Sequence, residues 1–250
     1  AVPYAILLDD GKVIWMNNQF LKILGGKVKG DAYLSKYLPE LNRSIFPQEE
    51  NDIVHMDVYY NERQYQAELR KVSVEGFSET ERLMEMPEEK EYFIAVYLQD
   101  VTELNQYIKA NEEQRLVAGL IYIDNYDEII DSVEEVRQSL LVALVDRKIN
   151  QYIAKANGIV KKMETDKYFI AVQKQHFKQL EEDKFSLLEG VKTVNIGNKI
   201  PATISMGFGL SEESYAQSYN YARVAIDLSL ARGGDQAVIK DSQGIPYYGG

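Results

Sequence analysis

Two β-rich runs, Ile53–Tyr60 and Arg63–Val72, are separated only by Asn61-Glu62. A two-residue gap between such runs is filled by a tight hairpin, so this part of the chain is committed to antiparallel sheet. Upstream, Ala5–Leu8 and Val13–Met16 read as short apolar strands joined by Asp9-Asp10-Gly11, and Asp-Gly between apolar runs is a strong hairpin signal. Asn17-Asn18 closes that hairpin and can cap a helix carrying Phe20, Leu21 and Leu24 at helical spacing. Gly25-Gly26 stops the helix. A further run, Tyr92–Leu98, leads into Asp100-Val101-Thr102-Glu103. Asp100 with Glu103 three residues later is a capping-box arrangement, expected to start a helix holding Leu104, Tyr107 and Ile108.

Length and composition bound the rest. The 250 residues suit two ordinary domains, and 45% hydrophobic with 27% charged residues suits globular cores. Cysteine is absent, which excludes disulfides, Cys-zinc sites and a thiol nucleophile, and suits a reducing cytoplasm. The net charge of −11 argues against nucleic acid or an anionic membrane surface as the main partner. Much of the acidic excess falls between Glu79 and Glu91, read as a solvated loop or a frayed hairpin tip. Runs such as Leu116–Ile123 and Ser139–Val145 are core-sized, well short of the roughly 18 residues of a membrane span. The chain opens on Ala-Val-Pro-Tyr, without Met and without the form of a signal peptide, and is expected to be a piece of a longer protein.

In the second half, Leu116–Ile123 reads as a buried strand ending at Asp124-Asn125-Tyr126. A helix through Ile129-Ile130 follows, then a long one from about Ser132 to Ala156 with Leu140, Leu141, Leu144 and Ile149 on its apolar face, stopped by Asn157-Gly158. Ile159–Met163 and Tyr168–Val172 form a hairpin around Thr165-Asp166. A helix from Lys174, a turn at Gly197-Asn198, a strand Ala202–Gly207, a helix Ser211–Arg232 and a strand Ala237–Lys240 complete a β-α-α-β-β-α-β-α-β order. The expected class is α+β.

The first 103 residues resemble a PAS domain, an antiparallel sheet with flanking helices that leaves a pocket for a small molecule. The resemblance rests on the early turn with Trp15 and Asn17 and on the terminal Asp100-Val101-Thr102-Glu103. His55, the one histidine of this part, is a candidate haem ligand; a lone strand histidine is more often solvent-facing, and the alternation around it leaves its face open. Residues 116–242 resemble a GGDEF domain, an α/β sandwich of nucleotidyl-cyclase type. Tyr122-Ile123-Asp124-Asn125-Tyr126, Thr203-Ile204-Ser205-Met206-Gly207 and the helix Ala222 to Gly233 carry this second resemblance. Gly233-Gly234-Asp235 has the letters of the signature but follows the last helix, where glycine is a cap.

The signature hairpin is instead Glu164-Thr165-Asp166-Lys167-Tyr168. The resemblance implies two glycines for close nucleotide approach and an acidic pair for divalent metal. Here Glu164 and Thr165 replace the glycines, Lys167 stands beside the surviving Asp166, and Tyr122 takes the place of a metal-binding Asp. Ile130 replaces a guanine-reading Asn while Asp131 is retained, and Lys155-Ala156-Asn157-Gly158 lacks the Arg-x-x-Asp of product inhibition. Two-metal cyclisation of GTP is therefore not expected. Asp124, Asp127, Asp131 and Asp166 could compose a remodelled nucleotide site with Mg or Mn; the bland alternative is that Asp124 caps a helix and the others are solvated.

The whole chain resembles the GdpP-type cyclic-di-AMP phosphodiesterases of Gram-positive bacteria, most specifically at Ala231-Arg232-Gly233-Gly234-Asp235-Gln236-Ala237-Val238 and at Trp15-Met16-Asn17. That resemblance implies a PAS sensory domain (1–103), a linker helix (104–115), a degenerate GGDEF domain (116–242) and a tail (243–250) leading to a DHH/DHHA1 domain that hydrolyses cyclic-di-AMP with Mn. It further implies two N-terminal membrane helices, so this segment would be the cytoplasmic part of a cell-membrane protein. Haem or another small molecule in the PAS pocket, weak ATP hydrolysis in the degenerate domain, and a homodimer are its remaining implications. A regulatory segment, a slow ATPase using Asp124, Asp131 and Asp166, and a dimerising scaffold are the three functional readings.

Overall fold

A computed structural model describes residues 2–26, 28, 31–50, 52–73 and 92–250. The acidic stretch Glu79–Glu91 lies outside the described residues. The chain divides into two compact units, Ala1–Ile108 and Lys109–Gly250.

In the first unit, β1 (Tyr4–Leu7), β2 (Val13–Met16), β3 (Ile53–Tyr60), β4 (Arg63–Ser73) and β5 (Tyr92–Asp100) form an antiparallel sheet in the order β2-β1-β5-β4-β3. The β3–β4 hairpin turns on Asn61 and Glu62, both with positive φ (47° and 63°), the backbone that a two-residue loop between twisted strands requires. Strand residues alternate between two faces. Ala5, Leu7, Val58, Leu69, Val96 and Leu98 pack beneath Phe20 of α1 (Asn18–Ile23), its C-cap Leu24, and Leu34, Leu38, Leu41 and Phe46. The opposite face carries Tyr4, which meets Trp15 edge-on at 5.8 Å and stacks on Tyr97 at 4.7 Å.

Asn17 explains its own motif. Its Oδ1 accepts from Phe20 N (2.9 Å) as helix cap and from Tyr4 N (3.2 Å), while its amide donates to Val2 O (2.7 Å). One side chain thus starts α1 and pins it to the first strand. At the other end, the expected capping box is replaced by a different arrangement. Asp100 accepts from the amide and hydroxyl of Thr102 (3.0 and 2.6 Å) and pairs with Arg63 at 2.6 Å, and the first helical bond runs from Asn105 N to Val101 O. The threonine, one residue closer than Glu103, reaches the carboxylate first. The helix it starts, α2 (Thr102–Gln114), contains the division between the units.

In the second unit, β6 (Leu116–Ile123), β7 (Ile159–Lys162), β8 (Lys167–Gln173), β9 (Ile204–Gly209), β10 (Gln236–Lys240) and β11 (Tyr247–Gly249) lie in the order β11-β10-β9-β6-β8-β7. Only β9 and β10 run parallel among these neighbours. One sheet face is covered by α3 (Tyr126–Asp131), α4 (Glu135–Lys155), α5 (Lys174–Glu182) and α6 (Leu187–Lys192), which build the main core together with the strands. The other face meets α7 (Tyr215–Ala231). There, a Cβ on Gly207 would run into the α7 backbone at Ile226, and one on Gly209 into Ser218 O and Ala222 N. The helix rests directly on the strand because those two positions have no side chain.

Several expectations are corrected. Leu140 is 52% exposed; the buried face of α4 is Leu141, Val145, Ile149, Tyr152 and Ile153. Adjacent helical residues point about 100° apart, and Leu140 falls outside the stripe centred on Leu141, Val145 and Ile149. The helix α6 and the strand β11 were not foreseen. Part of the stretch expected as a tail is sheet: Tyr248 pairs with Ala237 and its ring meets Phe185 at 5.0 Å. Gly233 and Gly234 (φ +100° and +76°) do end α7, donating to Leu230 O and Ser229 O at 3.0 Å each.

Candidate functional site

The corner where β6 ends beside the β7–β8 hairpin gathers most of the candidate residues. Met163 N and Glu164 N close the hairpin on Lys167 O (2.8 and 3.2 Å), and Ile123 N donates to Asp166 O at 2.8 Å. Tyr122 lies directly opposite Lys167 in the β6–β8 register. Their side chains meet, with the Lys167 ammonium 5.5 Å from the Tyr122 ring centroid. Glu164 Oε2 pairs with that ammonium at 2.8 Å. This hydrogen bond holds the Lys167 pKa above its ordinary value, with further support from the charges of Glu164 and Asp166. Burial raises the Tyr122 phenol, so it stays protonated and neutral.

Tyr168, the last residue of the signature hairpin, points the other way. It is buried in the main core, and its phenol donates to Asp146 of α4. Lys162 of β7 reaches both oxygens of the same carboxylate at 3.1 Å. Burial first, then this aspartate, pushes the Tyr168 phenol well up. Asp146 therefore ties the hairpin to the helical layer, a role that sequence reasoning missed.

Asp124 neither caps α3 nor stands open. Its Oδ1 accepts from Ser205 Oγ (2.6 Å) and its Oδ2 from Asp235 N (2.9 Å). A Cβ at Gly234 would lie 2.7 Å from Oδ2, so the absence of a side chain there allows the loop to close over the carboxylate. Burial raises the Asp124 pKa, against the opposing pull of these hydrogen bonds. The α3 entrance is held instead by Asn125, which donates to Pro201 O (2.9 Å) and accepts from Thr203 N (3.1 Å). Asp235 itself pairs with Lys192 at 2.7 Å. Asp127 and Asp131 are exposed at the two ends of α3.

Asp124, Asp131 and Asp166 are thus not assembled as a metal set, and among the described residues no three Asp, Glu or His side chains are grouped to hold a metal ion. A divalent ion needs several oxygen ligands at about 2.0–2.6 Å. The chemistry offered here is a neutral phenol, a lysine ammonium, the Glu164 carboxylate already paired to it and one further carboxylate, Asp166, which does not fit Mg or Mn.

His55 is exposed on β3, opposite Glu68 in register, while Val54, Met56, Val58 and Tyr60 turn to the core. It lines an open cavity of about 350 Å³ with Gln66, Glu68, Arg70, Tyr97 and Gln99 on the sheet face away from α1. A haem held beneath the helices would find no axial ligand in His55, and the pairing of Glu68 with Arg70 at 2.5 Å makes its surroundings polar and ionic.

Residues 121–247, half of the chain, match the family described as cyclic-di-AMP phosphodiesterase GdpP-like, GGDEF domain. The chain belongs to the GdpP-like family. Over its whole length it is 28% identical to the cyclic-di-AMP phosphodiesterase PdeA of Listeria monocytogenes, of which it spans 35%. Over 62% of its length it is 36% identical to the cyclic-di-AMP phosphodiesterase GdpP of Geobacillus thermodenitrificans, spanning 24% of that protein. It thus covers about a third or less of these GdpP-like relatives. Among solved structures, the active GGEEF domain of a diguanylate cyclase from Vibrio cholerae is similar at a TM-score of 0.43 and 12% identity, over 54% of this chain and 89% of that one. The GdpP-like chain has an α+β fold, a PAS-like antiparallel unit followed by a GGDEF unit. Among its described residues no helix is long and apolar enough to cross a membrane.

Proposed function

We propose that this chain is the regulatory segment of a cyclic-di-AMP phosphodiesterase, and that its GGDEF unit makes no cyclic-di-GMP. The observation that carries the second part is the hairpin itself, where the Lys167 ammonium lies over Tyr122 and is paired with Glu164. Glu164 and Thr165 also put side chains where a nucleotide would need bare backbone. The first part is supported by the family membership and by the 28% identity to PdeA along the whole chain. In this reading the PAS-like unit senses a small molecule, and α2 carries the response into the second unit. Slow metal-dependent ATP hydrolysis is not the preferred reading, because Asp124 is engaged by Ser205 and Asp235 and Asp131 is exposed elsewhere.

The test is a chromatographic product assay on the 250-residue chain with GTP or ATP and Mg or Mn. We expect GTP to be recovered intact. Cyclic-di-GMP would overturn the reading of the hairpin. Metal-dependent ADP formation that disappears in Asp166→Ala would replace the purely regulatory reading with a repurposed hydrolytic site.

A further inference from the structure

We propose that Lys167 is the resident cation of the β6–hairpin corner, and that its ammonium, with the Tyr122 phenol opposite, excludes a divalent ion from this site. The argument begins with placement. The register sets residue 122 directly across from residue 167, and Ile123 N is bonded to Asp166 O, so the end of β6 and the hairpin face one another at fixed distance. Within that corner stand two hairpin carboxylates, Glu164 and Asp166. Two acids brought together in a protein are stabilised by a positive charge between or beside them, and a metal ion is one way to supply it.

Here the chain supplies it. The Lys167 ammonium accounts for Glu164 by a 2.8 Å ion pair, feels Asp166, and covers the face of Tyr122. Tyr122 adds an aromatic surface where a ligand oxygen would be needed, and its phenol is kept protonated by burial. A divalent ion entering would meet like charge from Lys167 and would have to displace it from Glu164. Asp124, just past β6, already accepts from Ser205 Oγ and Asp235 N, so the corner's remaining carboxylate is that of Asp166 alone. The ammonium therefore meets Glu164 directly and Asp166 through its charge. The corner takes a built-in monovalent cation in place of an exchangeable divalent one, and any phosphate-bearing ligand docking there would meet an ammonium.

This goes beyond the absence of cyclase activity, and the two can fail separately: nucleotide turnover reports on the product assay alone, and metal occupancy is read without substrate. The experiment is Mn²⁺ titration of the 250-residue chain, following free Mn²⁺ by electron paramagnetic resonance. We expect the wild type to bind no more Mn²⁺ than Asp166→Ala. The double variant Tyr122→Asp with Lys167→Glu, folded by far-UV circular dichroism, should gain one site at least about tenfold tighter than anything in the wild type. A wild-type chain that binds one Mn²⁺ and loses it in Asp166→Ala would overturn the proposal, as would a folded double variant that gains nothing. Should the double variant fail to fold, Lys167→Glu alone, which keeps the Tyr122 packing, should still bind Mn²⁺ measurably more tightly than the wild type, and no gain there would equally overturn the proposal.

Discussion

Asp146 holds a position in the second unit that its solvent-facing neighbours on α4 do not. Its carboxylate takes the buried Tyr168 phenol on one side and the Lys162 ammonium on the other. Truncation would leave the phenol without an acceptor inside the core, and an unpaired buried donor costs about 1–3 kcal/mol. We expect Asp146→Ala to lower stability in urea by that amount. Adding Tyr168→Phe should then cost less than the two single losses together; strict additivity in this double-mutant cycle would show that the tie contributes nothing. At this scale little was legible beforehand. The degenerate letters of the hairpin, Tyr122 and Lys167 among them, can be read in order along the chain, but Asp146 and Tyr168 are 22 residues apart. The partners of Asp124 lie 81 and 111 residues away. Side-chain ties over such separations leave no periodic mark, so Asp124 was read as a ligand or a helix cap when it is a strut. The face of His55 was left open for a related reason: alternation gives two faces without saying which is inside, and the structure puts the side chain on the exposed one.

Elements whose signals are local were recovered more fully. Asn17, Gly25 and Asn61-Glu62 mark α1 and the β3–β4 hairpin because capping and positive φ are properties of single residues. The six-residue α6 and three-residue β11 have no comparable signal. They are short, and tertiary contacts such as Tyr248 against Phe185 hold them in place. The long helix α4 shows how a correct element and face can still carry one misassigned residue. Leu141 is fully buried whereas its neighbour Leu140 is 52% exposed. Thermal or urea unfolding should show Leu141→Ala destabilising by about 2–5 kcal/mol, with Leu140→Ala within about 0.5 kcal/mol of wild type. Equal losses would mean that α4 presents a different face to the sheet.

For the molecule as a whole, the division into two units follows from two separately composed cores. Phe20, Leu69 and Val96 belong to one, and Leu141, Ile149 and Phe208 to the other. Leu69→Ala and Ile149→Ala should each weaken the unfolding of their own unit by about 2–5 kcal/mol and leave the other transition in place. A single transition moved equally by both would contradict that separation. Length and the change from hairpin to long-helix patterning made this two-part plan readable, since each is a property of many residues at once. The contact of α7 with bare strand backbone at Gly207 and Gly209 has a consequence of another kind. It ties sequence drift on helix and strand to a single constraint, because no larger residue at either glycine can be accommodated by changing side chains alone. In a random-substitution library of this chain, those two positions should tolerate almost no replacement, while exposed Asp131 accepts nearly any. The late-strand motif is thus a record of packing, and it can persist in a lineage after the chemistry of the hairpin has gone.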